Sequence, residues 1–134
     1  MGKYKQATKE TSYAEMYFED GIFYCNFKKQ EVVDLELAKV GVNDRLEMFN
    51  GVEYPCLFDI SLVDKFTKEA RDYTANEGNK LVIASALIVH SPVVKVMANF
   101  FIHVNRPKNP TTVFTNKESA VKWLQKYKSS YSLL

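Results

Sequence analysis

Two hydrophobic periods alternate along the chain, and they divide it into elements. Tyr13-Ala14-Glu15-Met16-Tyr17-Phe18 and Ile22-Phe23-Tyr24-Cys25-Asn26-Phe27 are aromatic-rich runs of strand length. Asp20-Gly21 lies between them, and both residues tolerate the positive φ of a tight hairpin turn. Leu35, Ala38, Val42, Leu46 and Phe49 then recur at three- and four-residue spacing, one face of a helix. Asp34 is placed to cap that helix and Asn50-Gly51 to stop it. Tyr54 to Ile60 is apolar on both faces, as a covered parallel strand must be. A helical stretch follows from Thr67 to about Glu77, with only Phe66, Ala70 and Tyr73 on its apolar side, and Gly78 closes it.

The run from Leu81 to Val89 is the most hydrophobic and is expected to contain the central strand. Ser91-Pro92 is a helix start, a hydroxyl cap followed by Pro at the first helical position. That helix is expected to reach about Asn105, because Arg106-Pro107-Lys108-Asn109-Pro110 cannot continue it. Thr112-Val113-Phe114 reads as a last short strand, and Thr115 with Glu118 as a capping box opening a helix through Tyr127. Residues 1–11 are polar and without period and are expected to be a flexible terminus; the domain proper is expected over 12–128, with a tail at 129–134. The expected order is β-β-α-β-α-β-α-β-α: a single α/β domain with a five-stranded, mixed but mainly parallel sheet and four helices.

Composition narrows the class. The chain has 134 residues, 46% hydrophobic and 25% charged, with five Gly and four Pro. A chain of that length buries about two thirds of its unfolded surface around one core. Disordered, collagen-like and disulfide-scaffold classes are excluded on this composition. No apolar stretch approaches the roughly 20 residues of a membrane span. The N-terminus has no apolar signal core, and Gln6 stands where a myristoylation signal has Ser or Thr, so a cytoplasmic protein is expected.

A net charge of +2 does not argue for nucleic acid. Its distribution is uneven, net −3 over residues 1–102 and +5 over 103–134, but Lys117, Lys122, Lys126 and Lys128 suit the solvated face of a C-terminal helix. Cys25 and Cys56 fall in apolar strands, with no Cys-x-x-Cys and no His/Cys cluster at metal-ligand spacing. They read as reduced structural thiols, and no metal or cofactor is expected.

The element order resembles the SpoIIAA-like family, within the STAS fold of anti-sigma-factor antagonists and near the CRAL-TRIO lipid-transfer domains. Leu57-Phe58-Asp59-Ile60-Ser61-Leu62-Val63 is similar to the strand ending in Asp-x-Ser that leads into the STAS signature loop. Ala86-Leu87-Ile88-Val89 with Ser91, then Pro110, Val113-Phe114 and Ala120 with Trp123-Leu124, is similar to the family's ending. The resemblance spans roughly residues 13–128 and implies a regulatory, protein-binding module of bacterial type. This chain departs from the pattern at one place. Antagonists controlled by phosphorylation carry Asp-Ser-Ser-Gly at the start of the helix after that strand, whereas this chain has Thr67-Lys68-Glu69-Ala70, where Thr67 is suited to capping.

Candidate chemistry is sparse. An open α/β sheet binds ligands beyond the C-terminal ends of its parallel strands, which here supply Asp59, Ser61 and Asp64 after one strand and His90 and Ser91 after the next. With Thr67 these residues form a candidate switch or ligand loop. A hydrolase would need Asp59, His90 and Ser91 to converge, but there is no Gly-x-Ser-x-Gly elbow and no Gly-rich phosphate cradle. His103 has no second ligand at helical spacing.

The third helix is the most informative segment. Lys95, Asn99 and His103 occupy a stripe roughly 80° wide, while apolar residues cover an arc of roughly 240°. A helix on one sheet needs a stripe of only a little over 100°. Met97, Phe100, Phe101 and Ile102 are therefore candidate interface residues, covered by the rest of the chain, by a second subunit in a homodimer, or by a lipid-like ligand. The leading expectation is a non-enzymatic cytoplasmic interaction module, with a binder of a small apolar ligand as the alternative. A pocket lined by Met97, Phe100 and Phe101 favours the ligand, and a flat apolar patch at the same residues favours the dimer.

Overall fold

The computed structural model describes residues 5–132; residues 1–4 and 133–134, part of the expected flexible terminus and tail, lie outside the described residues. Its elements are β1 (Lys5–Glu10), β2 (Ala14–Glu19), β3 (Ile22–Phe27), α1 (Leu35–Phe49), β4 (Tyr54–Asp59), α2 (Lys68–Asn76), β5 (Val82–Ile88), α3 (Pro92–Phe100), β6 (Thr111–Phe114) and α4 (Lys117–Ser132). A 3-10 turn, Glu77–Asn79, follows α2, and a π-helical turn, Phe101–Asn105, extends α3.

All six strands form one sheet in sequential order, β1-β2-β3-β4-β5-β6. The first three are antiparallel and the last four parallel. The sheet therefore has six strands and not the five expected. The additional strand, β1, falls in the segment read as a flexible terminus. Its sequence, KQATKE, carries no apolar alternation because neither face is buried over residues 7–10, and charged residues on an edge discourage pairing with other chains. Thr11 makes the corner: its Oγ1 accepts from the Tyr13 and Ala14 N–H groups at 3.2 and 2.9 Å. At the other end, α4 continues to Ser132, past residue 128.

Asp20 and Gly21, at φ 53° and 80°, make the β2–β3 hairpin as expected. Asp34 caps α1 by accepting from the Leu37 N–H, and Asn50 closes it at φ 49°. The cap of α4 differs from expectation. Asn116 Oδ1 accepts from the Ser119 N–H at 2.8 Å, so the helix starts one residue later than a Thr115 capping box places it. The third helix also differs, since only its first nine residues are α-helical and Phe101–Asn105 widen into the π turn.

Each parallel strand is added on the same side of its predecessor. With right-handed crossovers, this puts α1, α2 and α3 on one face of the sheet and leaves the other to α4. The α4 face is well filled. Ala120 and Leu124 pack on Tyr17, Tyr24, Leu57, Ala84 and Ala86, and the three alanines let the helix approach closely. On the opposite face Phe49 packs with Met16, Phe18, Phe23, Cys25 and Cys56. A third cluster joins Val33, Ala38, Ile60, Val63, Ala70, Val94 and Ala98. Between these last two clusters the layer is not filled.

Candidate functional site

The residues facing each other across that layer are small at several positions. Ala38, Gly41 and Val42 come from α1, Ala98 from α3 and Ser85 from β5, and together they leave a partly open cavity of about 140 Å³. Its floor is the sheet, through Met16, Phe23, Cys25, Phe58, Leu87 and Thr111. Its roof is α1, α2, the inner side of α3 and the π turn after it, through Leu37, Arg71, Met97 and Phe101, and Pro107 also borders it. A space of this size admits a molecule as large as benzene. The π turn begins at Phe101, and π-helical turns concentrate at functional sites.

Two of the bordering residues are cationic, Arg45 and Arg71, and no Asp or Glu borders the cavity. Arg45 is 3% exposed, the one charged residue in the described core. Its two terminal nitrogens donate to the Lys80 and Gly78 carbonyls at 2.9 and 3.0 Å, and its guanidinium lies 4.9 Å from the centre of the Phe49 ring. Burial pulls its pKa down, against the pull of the Cys56 and Cys25 thiols. These bonds hold the run leading into β5, where Leu81 is in the left-handed region at φ 62°, a conformation costly for a bulky side chain.

Arg71 is held differently. One terminal nitrogen donates to the Phe66 carbonyl at 2.8 Å, but its Nε is buried with no acceptor among the described residues. The neighbouring carboxylate, Asp72, is engaged by Lys68 Nζ at 2.9 Å and by Asn105 Nδ2. Those bonds, Lys68 foremost, hold the Asp72 carboxyl below its ordinary range. Asn105 Oδ1 is the other buried polar atom without a partner among the described residues.

The two cysteines are free and buried. Burial pushes the Cys56 thiol up to about 12 and raises that of Cys25 as well; both are inert as nucleophiles at neutral pH. Among the described residues no group of three or more His, Cys, Asp and Glu is arranged to hold a metal ion. No helix among them is long and apolar enough to cross a membrane.

The expected switch-loop residues sit elsewhere. Asp59 Oδ1 accepts from the Ser61 N–H and hydroxyl at 3.0 and 2.6 Å, a local turn at the end of β4. The Asp64 N–H donates to the Gln30 carbonyl at 2.9 Å. Thr67 Oγ1 caps α2 by accepting from the Ala70 N–H at 3.1 Å, and Ser91 Oγ caps α3 by accepting from the Val93 and Val94 N–H groups. His90 is exposed, and no hydrogen bond joins it to Asp59 among the described residues. None of these six residues borders the cavity.

The third helix divides its apolar residues between two faces. Val94, Met97, Ala98 and Phe101 turn inward, the last three onto the cavity. Val93, Val96, Phe100 and Val104 turn outward and are 73, 71, 50 and 57% exposed. Of the three residues whose placement separates ligand from dimer, Met97 and Phe101 line the cavity and Phe100 faces out.

Sequence reasoning missed Arg45 and Arg71. Arg45 left a signal, because with Ala38, Val42 and Phe49 it falls on one helical stripe that is otherwise apolar. Arg71 left none, since α2 is polar on most sides and one more cation there is ordinary.

Among curated proteins nothing matches. A solved structure similar to this one is that of an uncharacterised protein of the DUF3478 family with a SpoIIAA-like fold, from Shewanella loihica PV-4. The two chains are 18% identical with a TM-score of 0.54, and the match covers 92% of this chain and 93% of that one. At that identity the likeness shows the fold alone, and the SpoIIAA-like α/β fold expected from the resemblance is the fold of this chain. A family described as a domain of unknown function, DUF7793, matches residues 16–128, and the chain belongs to that family.

Proposed function

We propose that this domain is a non-catalytic binding module that takes up a small apolar molecule between its sheet and helices α1–α3. The single observation that carries this reading is the cavity of about 140 Å³ roofed by Met97, Ala98 and Phe101. A natural core is filled to crystal-like density, and an empty space forfeits dispersion contacts all round its lining. Refilling this one with a ligand of six to eight heavy atoms recovers those contacts. The test is thermal unfolding with and without millimolar benzene. Wild-type protein is expected to melt higher with benzene, by the mass-action stabilisation of a bound ligand. Ala98→Leu, which extends a cavity-lining methyl into the space, is expected to lose the response. An unshifted wild-type melt contradicts the reading.

A second reading, a cytoplasmic regulatory module acting through protein contact or a homodimer, is favoured by the outer face of α3. Four apolar residues at helical spacing, all at least half exposed, form a contiguous stripe of the kind that marks partner contacts. The two readings share one helix, which offers a ligand its inner face and a partner its outer one.

A further inference from the structure

We propose that the molecule held in the cavity is a small monocarboxylate, its apolar body of about six carbons lying between α1 and the sheet and its carboxylate bonded to Arg71 Nε. This inference rests on the ligand reading above and names the chemistry of the ligand.

The first support is the charge of the wall. Two guanidiniums border a mainly apolar space that Thr74, Asn79, Ser85 and Thr111 also line, and no carboxylate does. Arg71 is half-buried and has Asp72 as a charge neighbour, but Asp72 does not border the cavity, so an anion held there meets two cations and no carboxylate. The second is an unspent donor. Arg71 Nε is buried without an acceptor, although nearly all buried donors in folded proteins are paired. Asp72, next in sequence, does not meet that need, because its carboxylate bonds to Lys68 and Asn105.

The choice between the two arginines follows from their bonds. Both terminal nitrogens of Arg45 are spent on the Lys80 and Gly78 carbonyls, so Arg45 contributes its field and Arg71 the hydrogen bond. Size sets the body of the ligand. A space of about 140 Å³ is close to one that holds benzene, so a long acyl chain does not fit and a six-carbon acid does. One orphaned donor also matches one anionic group, where a phosphate dianion asks for several.

The experiment compares hexanoate, hexan-1-ol and benzene by calorimetric titration into the full chain, wild type and Arg71→Met. Hexanoate is expected to bind wild type at least about tenfold tighter than hexan-1-ol, the size of one charge-assisted hydrogen bond. That preference is expected to vanish in Arg71→Met while benzene still binds. In parallel, the Arg71 Nε–H resonance of the wild type is expected to move downfield with hexanoate and not with hexan-1-ol, a readout that does not depend on the variant folding. Equal affinities for hexanoate and hexan-1-ol, or an unmoved Nε–H resonance, overturn the inference. If benzene binds and hexanoate does not, this inference alone fails; if none of the three binds, the cavity reading fails with it.

Discussion

The guanidinium of Arg71 lies 5.6 Å from the centre of the Phe100 ring. Arg71 borders the cavity and Phe100 belongs to the outward stripe of α3, so this stacked pair joins the inner site to the outer surface. A cation over an aromatic face contributes about 0.5–1 kcal/mol at a partly exposed site. That is enough to orient both groups and too little to lock them.

The stripe itself can be changed without touching the core. Val93 and Val96 are 73 and 71% exposed, and substitutions that far out usually alter stability by less than about 0.5 kcal/mol. Val93→Lys with Val96→Lys is expected to leave the melting curve in place and to abolish any self-association seen by sedimentation. Retained association at the wild-type level would place the interface elsewhere. Phe101→Asp is unsuitable for this purpose, although the sequence makes Phe101 a candidate interface residue, because Phe101 lines the cavity and a carboxylate there disturbs the interior.

Arg45 is expected to matter more for stability than any surface cation. Its removal strands the Lys80 and Gly78 carbonyls next to the left-handed Leu81. Arg45→Met, which keeps the volume and loses both bonds, is expected to cost about 3 kcal/mol in urea unfolding. A cost below about 1 kcal/mol would show that these carbonyls find other donors.

The caps give a sharper test of local structure. Asn116→Ala is expected to cost about 1 kcal/mol, as a lost N-cap does. Thr115→Ala, one residue outside the helix, is expected to change the melt by no more than a few tenths of that. The reverse order would restore the Thr115 capping box. Thr67→Ala is expected to match Asn116→Ala, since Thr67 Oγ1 makes the equivalent bond at α2.

Alkaline pH should unfold the domain through its buried acids. The Cys56 thiol ionises near 9.0 when unfolded but is pushed up to about 12 in the fold by burial, opposed by Arg45. Tyr24, ordinarily near 10.0, is likewise pushed up to about 12, by burial first and the Glu19 charge second. In both cases the fold keeps a proton that the unfolded chain releases. Stability from these groups is therefore complete below about pH 9 and declines as pH rises toward 12. The urea midpoint is expected to fall across that window, and to fall less steeply in Cys56→Ala. A flat profile between pH 9 and 12 would show that water reaches these groups.

Most of the architecture was legible in the residues because it follows from period and punctuation. Asp20-Gly21, Asp34, Asn50-Gly51, Thr67 and Ser91-Pro92 each act where their chemistry predicts. The edge strand β1 was not legible, because neither of its faces is buried over residues 7–10 and nothing there calls for apolar alternation. The cavity was not legible either. It arises from small side chains on different elements, Ala38, Gly41, Ser85 and Ala98, that face one another only after folding. The excess apolar arc of the third helix did signal that its apolar residues exceed one buried face, although the pattern could not tell which residues turn inward. The Asp59, His90 and Ser91 region drew attention by chemistry, yet its serines and aspartate are occupied with turns and caps.

The central claim is that a small apolar molecule occupies the space beneath α3, and methyl-detected NMR of the wild-type protein during a benzene titration tests it most directly. The predicted result is saturable, one-to-one movement of the Met97, Ala98 and Leu87 methyl signals, which border the cavity, with those of Val93 and Val96 unmoved. Unchanged interior methyls, or movement confined to the outward valines, would contradict it.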